Sequence, residues 1–246
     1  MFNYQAPENL LANKTILVTG AGSGIGRAAA LSYAAHGATV ILVGKTVAKL
    51  EKVYDEIEAA GGPQPAIFPM DLEHATDLEY LELASGIENE FPCLDGILHN
   101  AGVLGVMTPI QAYTLTTWNQ VIQTNLTASF ALTKHLLPLV HLSSQGSIIF
   151  TSSSVGREPR AYWGAYSVSK IAIEGLMQVL AQELEATSKI KVNTINPGAT
   201  ATAMRKQAFP AENPVKLPQP EDIMNVYLYL MGEDSAEERG KQFDAQ

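Results

Sequence analysis

Strand-like and helix-like segments alternate along the whole chain, and that rhythm limits the folds open to it. Runs rich in Val, Ile and Leu predict buried strands at 15–19, 38–43, 65–70, 95–99, 146–151 and 190–195, with a short last one near 241–244. Helices are expected at 24–36, 46–60, 75–90, 115–138, 164–187 and 220–231. Continuous rather than alternating apolar runs are what strands covered on both faces require. The pattern predicts an α/β fold: a doubly wound parallel sheet of Rossmann type, with helices on both faces and right-handed crossovers. No composition break or long linker divides the 246 residues, so one domain, 1–246, is expected. In such a sheet ligands sit beyond the carboxyl ends of the strands. Gly20, Asp71, Asn100, Ser153 and Pro197 all follow predicted strand ends.

The first strand runs into Thr19-Gly20-Ala21-Gly22-Ser23-Gly24-Ile25-Gly26 and then an alanine-rich helix. Glycines there let the backbone turn tightly and approach a pyrophosphate, while the opening helix offers free N–H groups to an anion. The spacing is T-G-x-x-x-G-x-G, and G-x-G-x-x-G does not fit from Gly20.

A second group of residues has the chemistry of proton transfer. Tyr166 and Lys170 are four apart, which places them on one helix face. An ammonium beside a phenol favours the phenolate, and a tyrosine whose free pKa is about 10 then approaches the range useful near neutral pH. Ser153, in the run Thr151 to Ser154, can hold a carbonyl or hydroxyl oxygen against that phenol. Asn125 falls inside a helix with a broad apolar surface, so its amide needs buried partners; one reading is an inter-helix polar pin.

Together these features resemble the single-domain short-chain dehydrogenases/reductases from about Lys14 onward. The matching motifs come in order: Thr19 to Gly26, Asp71-Leu72, Asn100-Ala101-Gly102, Asn125, Ser153, Tyr166-x-x-x-Lys170 and Asn196-Pro197-Gly198. Leu98-His99, Val155-Gly156-Arg157, Trp163-Gly164 and the ending Phe243-Asp244-Ala245-Gln246 set the chain nearest one bacterial oxidoreductase subgroup of that family. The resemblance implies interconversion of a carbonyl and an alcohol by hydride transfer, with Tyr166 as general acid/base, Ser153 stabilising the oxygen and Lys170 tuning the tyrosine. It implies that Asn125 kinks its helix and orders a water beside Lys170. It further implies that Gly20, Ser23, Gly24, Ile25 and Gly26 hold the nucleotide phosphates, and that Asp71 and Leu72 meet the adenine. Asn100, Ala101 and Gly102 would line the ribose, Lys170 would also bind the nicotinamide ribose, Pro197 and Gly198 would wall the nicotinamide, and Thr202 would touch its carboxamide. From the residues alone, Asp71 equally reads as a helix cap. His99 is assigned no role.

The second strand end bears on which nucleotide is used. NAD sites usually carry an acid about 20 residues past the glycine turn. Here Val43 is followed by Gly44 and Lys45, and a cation suits a 2′-phosphate; Lys45 also reads as a solvated surface lysine. NADP(H) is therefore expected in preference to NAD(H), although Ser23 stands where many NADP-users carry a second basic residue. No metal is expected.

Composition narrows the partners. A net charge of −9 without a basic cluster argues against nucleic acid and anionic membranes, and no apolar run is long enough to span a bilayer. One cysteine, Cys93, precludes an internal disulfide, and a cytoplasmic location is expected. The Pro-punctuated stretch 199–219 is expected to be a substrate lid. Val103, Leu104, Met107, Tyr162, Trp163, Met204 and Phe209 are candidates for an apolar substrate pocket, with Arg157 and Arg160 either solvated or facing an anionic group. The remaining readings are a non-catalytic NADP-binding sensor and, as a lesser option, a 3-oxoacyl thioester reductase. The family's habit of pairing through the helices at 115–138 and 164–187 implies a homodimer or homotetramer.

Overall fold

A computed structural model describes residues 1–246. Seven strands form one sheet in the order β3-β2-β1-β4-β5-β6-β7: β1 Thr15–Thr19, β2 Thr39–Gly44, β3 Ala66–Pro69, β4 Gly96–His99, β5 Ser147–Thr151, β6 Lys191–Asn196 and β7 Gln242–Asp244. Every pairing is parallel. The strand order reverses between β1 and β4, which opens a crevice at their carboxyl ends.

Alternate side chains of each strand serve two separate cores. Ile16 and Val18 of β1 join Val40, Leu42 and Leu98 beneath α1 (Gly24–Ala35), α2 (Val47–Ala59) and α9 (Met224–Met231). Leu17 joins Ile41, Ile97 and Ile148 under α3 (Asp77–Glu90), α5 (Ala128–His141) and α7 (Gly164–Glu185). All five residues of β1 are buried, which is why its sequence reads as an unbroken apolar run.

The expected single helix at 115–138 is two helices in different registers. α4 (Leu115–Ile122) passes into a π turn, Gln123–Thr127, before α5 begins. α5 also runs past Pro138 to His141. Pro138 is exposed, and Leu139 and Val140 beyond it are buried, so their packing carries the helix on. α3 starts at Asp77 on a capping box, with Glu79 N–H donating to Thr76 Oγ1 and Thr76 N–H donating to Glu79. Two short helices were not expected: α6 (Ser154–Arg157) and α8 (Ala203–Ala208).

Candidate active site

The glycine turn between β1 and α1 is a close-packed cradle. Gly20 and Gly24 have φ of 68° and 54°, conformations that side-chain-bearing residues rarely adopt. At Gly26 a Cβ would lie 2.3 Å from the Gly20 carbonyl oxygen and 2.6 Å from Asn100 Nδ2. Ser23 makes no side-chain bond to the first turn of α1, which leaves those N–H groups for an anion. The turn is laced to the neighbouring strands. Thr19 Oγ1 accepts from the N–H groups of Asn100 and Ala101 at 2.9 and 3.0 Å, and Asn100 Nδ2 donates to the Thr19 carbonyl at 3.3 Å.

The crevice beyond the sheet has two lobes that share Gly20, Ser23, Ala101, Gly102 and Val103. The smaller, 230 Å³, lies over β2 and is lined by Lys45, Lys49, Asp71 and Leu72 among others. Asp71 accepts from Glu73 N–H and from His74 Nδ1, both at 3.2 Å. Burial raises its pKa, but the His74 and Glu73 hydrogen bonds and the Lys45 cation outweigh that and hold the carboxyl below its ordinary value. Asp71 does not cap α3, because Thr76 does. Lys49 was not anticipated; its Cβ lies 2.9 Å from where Gly22 would carry one. The signal was present in the sequence, since Lys45 and Lys49 are four apart at the start of α2.

The larger lobe, 830 Å³, holds Ser153, Tyr166 and Lys170 together with Asn100, Pro197, Gly198 and Thr202. Tyr166 and Lys170 are 8 % and 5 % exposed. Lys170 Nζ sits 5.7 Å from the centre of the Tyr166 ring and donates to the Thr151 carbonyl at 2.6 Å. Burial pushes Tyr166 above its usual pKa, and a hydrogen bond with Ser153 works against that rise. Burial pushes Lys170 down to about 8, with Glu174 opposing. The expectation that Lys170 alone favours the phenolate is therefore corrected: in the ligand-free site the dry surroundings raise the phenol, and Ser153 supplies the opposing effect.

Asn125 is 1 % exposed at the centre of the π turn. It pairs with Val103 as a neighbouring strand would: Val103 N–H donates to Oδ1 at 2.8 Å and Nδ2 donates to the Val103 carbonyl at 3.0 Å. Nδ2 also donates to Ser169 at 3.1 Å, so the polar-pin reading is correct as far as the protein's own contacts go. A Cβ on Gly102 would touch both Asn125 Oδ1 and Lys170 Nζ, at 3.3 and 3.9 Å.

The segment 199–219 is folded rather than a plain loop. Thr202 caps α8 by accepting from Arg205 N–H at 3.1 Å, and its methyl group lies against Gly24. Arg205 forms a paired contact with Glu212 at 2.6 and 2.7 Å and lies 3.8 Å over the Phe209 ring. Leu104, Trp163, Met204 and Phe209 line the lobe, as does Val103. Met107 and Tyr162 do not; they are 40 % and 59 % exposed outside it. Arg157 is neither solvated nor directed at the cavity, because Asp244 and the Phe243 carbonyl hold it. Arg160 does line the cavity. Gln246 was also missed. Its amide donates to the Pro197 carbonyl at 2.7 Å and to Thr200 Oγ1 at 3.1 Å, which fastens the wall beside Gly198. His99 is packing: Nε2 meets Thr133 at 2.9 Å, the ring stacks on Phe150 at 4.7 Å, and burial lowers its pKa to about 3.

A parallel sheet with a phosphate-shaped glycine cradle and a tyrosine and lysine at its switch-point crevice defines an enzyme of the dehydrogenase type. A family model described as short chain dehydrogenase matches residues 14–213, and the chain belongs to the short-chain dehydrogenase family. It is 51% identical to the oxidoreductase YciK of Escherichia coli K12 over 244 residues, covering 99% of this chain and 96% of the relative. It is 30% identical to the cyclohexanol dehydrogenase of an Acinetobacter species, covering 96% and 94%. Among solved structures, a short chain dehydrogenase from Pseudomonas syringae superposes with a TM-score of 0.98 at 55% identity, with both chains covered completely. One from Escherichia coli CFT073, complexed with NADPH, superposes with a TM-score of 0.95 at 51% identity, covering 98% of this chain and 100% of that one.

Proposed function

We propose that the chain is an NADP-dependent oxidoreductase that interconverts a ketone or aldehyde with its alcohol, using Tyr166 as general acid/base. One observation carries the reading: Ser153, Tyr166 and Lys170 meet in a cavity that continues past Gly20 and Ser23 to a lobe bearing Lys45 and Lys49. The glycine cradle fits a dinucleotide pyrophosphate, since any side chain on Gly26 would fill it. NADPH, when bound, supplies the hydride. Tyr166 gives its proton to the carbonyl oxygen as negative charge develops there, and Ser153 donates a hydrogen bond to that oxygen. Lys170 faces the tyrosine as a cation and offers its remaining donors to ribose hydroxyls. In the reverse direction Tyr166 accepts the alcohol proton. Leu104, Trp163, Met204 and Phe209 give the far wall an apolar character that suits a hydrophobic carbonyl compound.

Lys45 and Lys49 are the pair we assign to the 2′-phosphate, which supports NADP(H) over NAD(H). Helix α8 and the chain around it form the substrate lid, with Gln207 reaching the Gly105 carbonyl across the mouth at 3.3 Å. Exposed Phe130, Val168, Ile171 and Val179 on the outer faces of α5 and α7 suit pairing with a second copy. No helix is long and apolar enough to cross a membrane. A cytoplasmic location fits the use of NADPH and the free thiol of Cys93.

The test is NADPH oxidation against a panel of chemically diverse ketones and aldehydes, with Tyr166→Phe beside the wild type. Loss of an acid–base group costs ~100- to 10,000-fold in rate. Tyr166→Phe should lose activity on that scale while still binding NADPH. Full activity in the variant would defeat the mechanism, and tight NADPH binding without turnover on any substrate would favour a sensor.

A further inference from the structure

Behind Lys170 lies a buried charged network that the proposed reaction leaves unused. Glu174 follows Lys170 by four residues in α7, so the two side chains leave one helix face a turn apart. Glu174 is 5 % exposed, a position where an acid needs partners. Thr194 on β6 donates to its Oε2 at 2.7 Å. Arg157 Nε stands 3.6 Å from Oε1, and neither of those two atoms makes a hydrogen bond. The other guanidinium nitrogens are committed to β7: Nη1 to the Asp244 carboxylate at 2.8 and 2.9 Å, and Nη2 to the Phe243 carbonyl at 2.9 Å. Arg157 is thus divided between two acids and meets Glu174 only by charge.

The surroundings of Lys170 leave few other charges. Thr151 offers a carbonyl from β5, Tyr166 a neutral ring from α7, Asn125 an amide from the π turn, and Gly102 bare backbone after β4. Arg157 of α6 and Asp244 of β7 stand behind Glu174. Burial drives Lys170 towards the neutral amine, and Glu174 is the charged group that resists it.

We propose that Glu174 is a positioning residue that keeps Lys170 an ammonium ion in the dry cavity, with Arg157 setting how strongly the carboxylate is felt. The inference rests on Lys170 being the cation of the proposed reaction. A fall of one unit from about 8 would take the protonated fraction at pH 7.5 from about three-quarters to about one-quarter. A merely structural ion pair, tying α7 to β7, would make no such difference.

The test reads Lys170 directly. Protein labelled with 13C at the lysine ε-carbons is titrated by NMR, the Lys170 signal being the one missing from Lys170→Arg. In Glu174→Gln the midpoint should fall by about one pH unit, a tenfold change in the proton equilibrium. In Arg157→Met, which frees the carboxylate from its competing cation, the midpoint should rise. Only a charge effect moves the two variants in opposite directions. Midpoints within 0.2 of the wild type, or both moving the same way, would overturn the proposal. Should Glu174→Gln fail to fold, Arg157→Met decides alone: a rise supports the idea, and no change or a fall ends it. The alkaline limb of kcat/KM should follow each midpoint. Unchanged turnover in Lys170→Met would instead overturn the parent reading, whatever the titration shows.

Discussion

Gly26→Ala is the sharpest test of the cradle, because the cost can be worked from one distance. A Cβ at this position would stand 2.3 Å from the Gly20 carbonyl oxygen, where ordinary contact begins at 3.4 Å. Helix α1 and the end of β1 must therefore part by about 1.1 Å. The obstacle is backbone, so no side chain can swing aside. Overpacking of this kind typically costs ~1–3 kcal/mol of stability. At roughly 2–4 °C per kcal/mol for a chain of this size, Tm should fall by about 2–12 °C. The binding loss should be larger, because a misplacement of about 1 Å costs on the order of 100-fold where groups must converge. NADPH affinity, followed by nicotinamide fluorescence, should weaken by about that factor. Gly175→Ala is the control. Gly175 lies in α7 with nothing within 4 Å of its added Cβ, so it should be neutral or gain up to about 1 kcal/mol of helix propensity. If Gly26→Ala binds NADPH within threefold of the wild type at unchanged Tm, the cradle is not what positions the nucleotide.

Three further outcomes are expected. Lys45→Ala and Lys49→Ala should each weaken NADPH binding by roughly 10-fold and leave NADH unaffected, since a charge-assisted contact to a phosphate is lost in one case only; equal effects on both nucleotides in a titration would refute the assignment. Lys191, buried against the Gly232 carbonyl and Ser235, has its pKa lowered by burial to about 8. The unfolded chain therefore binds more protons between about pH 8 and the ordinary lysine value near 10.5, so this residue's share of stability rises with pH across that window. Urea unfolding of Lys191→Met should show a flatter pH dependence there than the wild type, by about 1–3 kcal/mol over the window, and parallel curves would count against it. Val179→Glu, on the exposed face of α7, should convert an oligomer to monomers in light scattering, and an unchanged mass would exclude that face as the contact.

The strands were legible because each is an unbroken apolar run, which local sequence displays directly. Thr15 to Thr19 and Ser147 to Thr151 are buried throughout, and no distant information is needed to recognise them. The site residues that follow strand ends were legible for the same reason. What sequence concealed depends on contacts between distant positions. The π turn is accompanied by the clasp of Asn125 on the Val103 backbone, 22 residues away. Gln246 meets Pro197 across 49 residues, and Arg157 meets Asp244 across 87. Helix α8 is short, and its support comes from the Thr202 cap and the Arg205–Glu212 pair rather than from an apolar stripe. Lys49 differs from these, since its spacing from Lys45 was readable and was overlooked.

The π turn also sets a limit on how this chain can change in length. It accommodates one residue more than an α-helical turn would, and each residue of an α-helix advances about 100° around its axis. Deleting any one of Gln123 to Thr127 would let the helix run through without interruption, but would swing everything beyond by about a quarter-circle. Leu132, Leu136 and Val140 would leave the sheet, and outward-facing Phe130 would rotate with them. The inner lining of the molecule and the surface offered to a second copy are thus phased by the same supernumerary residue, so neither can be adjusted by a length change here without disturbing the other.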